Sequence, residues 1–294
     1  MKDVLKTESL TKDFGDNKGA FDINLELSPS EIVGFIGPNG AGKTTTMLML
    51  AGFTHPTSGF LEIFNRKEVT PNNIHTLIEK MGVLLSEIGF DPNLSSKEIF
   101  QKNAWLLGKN LKKKWQELSE RLDLDVNKTF GSLSLGNKKK AGLVNALMHS
   151  PKLLIMDEPT AGLDPLIQQE FLKLLREHRD NGASIMLSSH ILKEVENICD
   201  RIIMIKNGRI ILTDKTSNIL EKALKIIRVF EPDSKLKKEL KKTAQNQKLQ
   251  EEDTQILIHT NKIDQFIKVL DKNNHYNFFV ERVSLEEMFL DSYK

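Results

Sequence analysis

Residues Gly37 to Thr44, reading Gly-Pro-Asn-Gly-Ala-Gly-Lys-Thr, constrain this chain more than any other stretch. Glycine stands at both ends of the pattern, and lysine and threonine follow the second directly, as in a phosphate-binding loop. The flanks agree: Glu31 to Ile36 is an apolar run of strand length, and Thr44 to Ala51 reads as a helix. In a strand-loop-helix unit of this kind, the loop N–H groups and the positive end of the helix converge on one point, which suits a polyphosphate anion. Gly37, Pro38, Asn39, Gly40, Ala41 and Gly42 would form the cradle, continued by Thr45. Lys43 would lie along the outer phosphates, and the Thr44 hydroxyl would ligate a magnesium ion bridging them. The stretch therefore predicts a nucleoside triphosphate site but does not choose among phosphate-binding families.

Composition excludes several alternatives. With 294 residues, 39% hydrophobic and 28% charged, the chain can bury a sizeable core in one large or two ordinary domains. A net charge of +2 supplies no global field for a polyanion, and the lysine clusters at 109–114, 138–140 and 235–248 read as solvated faces, so no nucleic-acid partner is expected. The single Cys199 cannot form an internal disulfide and, beside Val195 and Ile198, reads as a small core residue. Residues 1–8 show no apolar signal-peptide core, and no apolar run approaches the roughly 18 residues of a membrane span. A cytoplasmic chain is expected, with any membrane role exercised through a partner.

Ahead of the loop, alternating apolar residues and turn clusters at Gly15-Asp16-Asn17 and Ser28-Pro29-Ser30 predict antiparallel strands. Gly59–Phe64 and Met81–Leu85 read as further strands. About sixty residues of helical character follow, with Trp115, Leu118 and Leu122 at helical spacing, as an inserted subdomain over about 87–150. Strand Leu153–Met156, helix Pro165–Arg179 and strand Ser184–Leu187 then restore the alternation of a mostly parallel sheet. Arg201–Lys206 and Arg209–Thr213 flank Asn207-Gly208 as a two-residue hairpin. From about Ser217 the pattern changes, passing through a lysine-rich stretch to strand Gln255–Thr260, helix Lys262–Lys272 and strand Tyr276–Val283. The predicted domains are 1–216 and a small α+β domain, 217–294.

Asp157 and Glu158 close the apolar strand Leu153–Met156, at the strand end where an open α/β sheet presents its ligand site. Asp157 is placed to hold the magnesium ion, and Glu158 to polarise the water that attacks the terminal phosphate.

With these residues the chain resembles the ATP-binding subunits of ABC transporters, over residues 4 to about 215 in the family's order. Leu133-Ser134-Leu135-Gly136-Asn137 looks like the family signature, and Ala161-Gly162-Leu163-Asp164 like the loop carrying an aspartate across the dimer interface. His190 falls at the switch histidine, and Phe14 at the aromatic that stacks on adenine. The resemblance implies an α/β fold of the P-loop NTPase type, with a RecA-like, mostly parallel sheet, an N-terminal antiparallel subdomain and the helical insertion. It also implies an ATPase using ATP and Mg2+, with Glu158 and His190 catalytic. Two copies would close head to tail, so that Ser134, Leu135, Gly136 and Asp164 meet the nucleotide of the other subunit, giving a homodimer. The expected partner is a separate integral-membrane permease, which would hold the chain peripherally on the cytoplasmic face.

Two positions depart from the family pattern. Ser86 stands where glutamine, or glutamate in one exporter branch, reaches the metal, and Glu87 follows it; either Glu87 substitutes or coupling differs. Leu135 and Asn137 replace the commonest glycine and glutamine, as in variants of the drug-exporter branch, which the phrase Val283 to Phe289 also resembles. These departures keep open a soluble or regulatory ATPase with weak hydrolysis. A ribosome-acting protein with two cassettes and a chromosome-maintenance ATPase with a long heptad insertion fit less well, since one cassette and a short interval are present.

Overall fold

The computed structural model describes residues 3–222, 224–244, 247–252 and 254–283. It divides into two compact units, Met1–Thr216 and Ser217–Lys294.

The first unit opens with β1 (Leu5–Asp13), β2 (Gly19–Ile23) and β3 (Glu26–Leu27), then β4 (Ile32–Ile36), α1 (Lys43–Leu50) and β5 (Ser58–Ile63). β1 pairs antiparallel with β2, β3 and β5, forming the four-stranded N-terminal sheet. After β6 (Met81–Leu84) come three helices, α2 (Ser96–Leu106), α3 (Lys112–Arg121) and α4 (Leu135–Leu147). Alternation resumes with β7 (Leu153–Met156), α5 (Pro165–Asp180), β8 (Ser184–Ser189), α6 (Leu192–Ile198), β9 (Arg201–Lys206) and β10 (Arg209–Lys215), and α7 (Thr216–Lys222) starts at the last residue of this unit.

The second sheet has six strands in the order β10-β9-β4-β8-β7-β6. All its pairs are parallel except β9 with β10, the hairpin expected at Asn207-Gly208, where both residues have positive φ (50° and 75°). β4 and β7 are buried at every position, as strands covered on both faces must be. Leu10, Phe35, Met47, Met186 and Ile203 belong to one core cluster, so both sheets share a single apolar interior. In the helical segment Trp115, Leu118 and Leu122 are buried, with the Trp115 ring 5.9 Å from that of Phe100.

Four parallel neighbours, β4, β8, β7 and β6, end on one edge of the sheet, and each hands over to a segment singled out above. The loop at Gly37 follows β4, His190 follows β8, Asp157 follows β7, and Ser86 lies two residues past β6. Strand order alone thus assembles residues scattered over more than a hundred positions of sequence, as an open α/β sheet does at its carboxyl edge.

The second unit contains β11 (Lys225–Phe230), α8 (Ser234–Thr243), β12 (Lys248–Glu251), β13 (Gln255–Thr260), α9 (Ile263–Lys272) and β14 (Phe278–Arg282). The strands form an antiparallel sheet in the order β12-β13-β11-β14, a split βαβ arrangement. Ile227, Val229, Ile256 and Ile258 meet Leu236, Leu240, Phe266 and Leu270 of the two helices in one apolar cluster. The lysine-rich stretch, read above without elements of its own, holds β11, α8 and β12. Its lysines mask an amphipathic helix in which Leu236 and Leu240 are buried and Asp233 caps the start. The last strand is Phe278–Arg282, shorter than expected, and the exporter-like phrase lies outside the described residues from Ser284 onward.

Candidate functional site

Helix α1 starts without a side-chain cap. Its N-cap is Gly42, at φ 101°, and no acidic residue occupies its first turn. By contrast α2, α4, α5 and α8 are capped by Ser95, Ser134, Asp164 and Asp233. The opening N–H groups of α1 thus remain available to an anion. The loop is held closely from behind: a Cβ on Gly37 would lie 2.4 Å from the Ile205 carbonyl oxygen, and one on Gly42 would lie 2.7 Å from that of Gly19. The β9–β10 turn supports it further, with Gly208 N donating to the Ala41 carbonyl at 2.9 Å. This buttress was not apparent from sequence, where Asn207-Gly208 signalled only a hairpin.

A cavity of about 1020 Å³ opens over the loop, lined among others by Phe14, Asn39, Gly40, Lys43, Thr44 and Glu158. Phe14 projects with 62% of its surface exposed, as a ring offered to a planar ligand must be. Lys18 and Arg209 also line the cavity, adding positive charge that no motif had marked.

At the cavity's inner end Lys43 is almost wholly buried, with Nζ donating to the Gly37 carbonyl at 2.8 Å and standing 3.7 Å from Glu158 Oε1. Asp157 is fully buried and accepts three hydroxyl hydrogen bonds. Thr44 and Ser86 donate to Oδ2 at 2.9 and 2.5 Å, and Ser188 donates to Oδ1 at 2.5 Å. Glu158 Oε2 lies 2.7 Å from His190 Nδ1. Glu158 itself has φ 48°, a left-handed conformation uncommon for a residue with a side chain and frequent at functional sites.

Of the two candidates beside β6, Ser86 reaches Asp157, whereas Glu87 is exposed and lines a different cavity, an apolar groove of about 520 Å³. Exposed Phe53, Ile78 and Leu106 also line this groove.

Ser134, Leu135, Gly136 and Asp164 are not among the residues lining the phosphate cavity. They lie together elsewhere: a Cβ on Gly136 would come within 2.7 Å of the Gly162 carbonyl oxygen, so the two loops pack on each other. Leu135 and Leu166 on these segments are 75% and 77% exposed.

The lysine cluster at 138–140 requires correction. Lys139 and Lys140 are only 6% and 7% exposed. α4 packs its second turn inward, where Lys139 Nζ approaches the Asp157 carbonyl oxygen at 3.4 Å and Lys140 Nζ that of Asp123 at 3.1 Å. Burial lowers the Lys139 pKa, against the raising influence of the Asp157 and Glu158 carboxylates. Sequence reasoning also missed Ser188, whose hydroxyl accepts from Glu158 N at 2.9 Å while donating to Asp157. Burial pushes the Cys199 thiol well above its usual range, in keeping with a core residue.

An uncapped helix behind a glycine-rich loop, a buried lysine, and an aspartate-glutamate pair at the end of another parallel strand of the same sheet define a P-loop nucleotide-binding protein. Residues 20–161 match the ABC transporter family. The bacitracin transport ATP-binding protein BcrA of Bacillus licheniformis is 37% identical over 72% of this chain and 69% of its own length. An uncharacterized ABC transporter ATP-binding protein of Methanocaldococcus jannaschii, MJ1023, is 30% identical over 99% of this chain and 100% of its own. A solved ATP-binding subunit of an ABC transporter superposes with a TM-score of 0.69 at 26% identity, over 74% of this chain and 92% of that one. The chain belongs to the ABC transporter family as an ATP-binding ATPase subunit, the component that drives transport through a membrane permease.

Proposed function

We propose that the chain binds and hydrolyses ATP with Mg2+ at the sheet edge, as one of two identical subunits, and so powers export through a separate integral-membrane permease. The observation carrying this reading is the convergence of Lys43, Thr44, Asp157, Glu158 and His190 at the ends of adjacent parallel strands.

Each side chain has a definable task. The α1 N–H groups and Lys43 hold the phosphates, and Phe14 stacks on the base. Thr44 Oγ1 and the Asp157 carboxylate are hard oxygen donors within hydrogen-bond reach of one another, a set that fits magnesium, with Ser86 beside them. The ion, when bound, neutralises charge developing on the phosphates. Glu158 accepts the proton of the attacking water, and His190 orients the carboxylate through its 2.7 Å contact.

The exposed face of Ser134, Leu135 and Asp164 suits a second subunit, since a helix N-terminus and two bare leucines are offered to no residue of this cavity. The apolar groove beginning beside Ser86 and Glu87 suits the permease, because a segment seated there would lie two residues beyond the strand that feeds the metal site. Similarity to a bacitracin transport protein supports an export role. No helix among the described residues is long and apolar enough to cross a membrane.

The test is ATP turnover by the purified chain beside its Glu158→Gln variant. Loss of the base should lower kcat by about 10² to 10⁴ while ATP binding persists. Equal turnover in the two proteins would refute the assignment. Recovery of a polytopic membrane protein with the tagged chain from solubilised membranes checks the partner; recruitment to protein-free vesicles instead would count against it.

A further inference from the structure

The peptide joining Asp157 to Glu158 is gripped from both sides. Its N–H, on Glu158, donates to Ser188 Oγ of β8 at 2.9 Å. Its carbonyl, on Asp157, faces Lys139 Nζ of α4 at 3.4 Å. The two partners lie on elements that are not neighbours in sequence, and both are buried, Ser188 at 0% and Lys139 at 6% exposure. The gripped peptide leads directly into the left-handed Glu158, a conformation that persists only where its surroundings over-determine it.

A buried ammonium is costly to retain, and an apolar residue of like length would pack there without that cost. Lys140, the next residue, is accounted for by Asp123, whose carbonyl and carboxylate it approaches at 3.1 and 3.7 Å. Lys139 has no such partner on its own helical subdomain; its hydrogen-bond acceptor is the Asp157 carbonyl.

We propose that Lys139 is a positioning residue for hydrolysis: from the second turn of α4 it fixes the plane of the Asp157–Glu158 peptide and thereby aims the Glu158 carboxylate. α4 is the helix whose N-cap is Ser134. A displacement of that N-terminus therefore moves the grip on the base of the same subunit. The inference rests on Glu158 being the base.

The test is a double-mutant cycle in the full chain. Lys139→Met keeps the side chain's length and removes its donor and charge. It should lower kcat about 10- to 100-fold, the scale expected when a reacting group is misplaced by about 1 Å, with the ATP dissociation constant changed less than about twofold. In the Glu158→Gln background the same substitution should change kcat less than about twofold, because the group it positions is already gone. Losses that multiply, or a fall in ATP affinity matching the fall in kcat, would overturn the proposal in favour of a general packing role. If Lys139→Met does not fold, Lys139→Gln, which retains an N–H donor, carries the same cycle with a smaller loss. Unchanged turnover in Glu158→Gln alone would instead remove the base on which the proposal stands.

Discussion

Ser86→Ala tests the position that departs most from the family pattern. The Ser86 hydroxyl donates to Asp157 Oδ2 at 2.5 Å, and Thr44 donates to the same oxygen at 2.9 Å. If that carboxylate holds the magnesium ion, Ser86 acts by orienting it. A hydrogen bond to a charged group contributes about 1.5 to 3 kcal/mol. Ser86 is exposed, and two other hydroxyls continue to satisfy Asp157, so the lower end applies. At about 1.4 kcal/mol per tenfold, the variant should need roughly tenfold more Mg2+ for half-maximal turnover. At saturating Mg2+ its kcat should stay within about threefold of the parent, since the Ser86 hydroxyl bonds to Asp157, whereas Glu158 is held by His190. The assay is steady-state ATP turnover across a magnesium titration at fixed, saturating ATP. An unchanged half-saturation concentration would refute the metal-side role. A kcat deficit that excess magnesium cannot restore would place Ser86 in the chemical step instead.

Lys43→Ala removes the buried ammonium above the loop and should weaken ATP binding roughly ten- to a hundredfold, from charge-assisted contacts of about 1.5 to 3 kcal/mol; equilibrium binding of a fluorescent ATP analogue reads it. His178 predicts an acid-side loss of stability. Burial, helped by Lys114, lowers its pKa from 6.5 to about 4, so the unfolded chain binds the proton more readily. The stabilisation is therefore complete above about pH 6.5 and is lost as pH falls toward about 4, by at most about 3 kcal/mol. Urea unfolding at pH 7 and pH 4.5 should show a smaller difference in His178→Gln than in the parent, and equal differences would contradict the assignment.

Most of the first unit was legible because its signals are local. Leu153 to Met156 is an unbroken apolar run, and a run buried on both faces reads as a strand with its ends in the expected places. The hairpin at Asn207-Gly208 was legible because two successive positive φ values favour those residue types. The C-terminal unit was read less well. In α8, five lysines among ten residues outweigh Leu236 and Leu240, so a composition-led reading sees a solvated stretch where the 3.6-residue period would have shown a helix with one apolar face.

The residues missed at the site share another cause. Ser188 and Lys139 act on a backbone peptide rather than on a ligand, so no ligand-binding motif marks either of them. Ser188 sits in a strand as an ordinary small polar residue, and its role depends on β8 lying next to β7. Lys139 stands between two other lysines, and three in a row read as surface. The discriminating signal was the helical period. α4 presents Leu143, Ala146 and Leu147 to the interior, and counting back four from Leu143 places Lys139 on that buried face. A lysine on the apolar face of a helix requires an acceptor at the end of its side chain. In a chain whose acidic strand end lies eighteen residues further on, the Asp157–Glu158 peptide is an acceptor that the parallel sheet brings within reach.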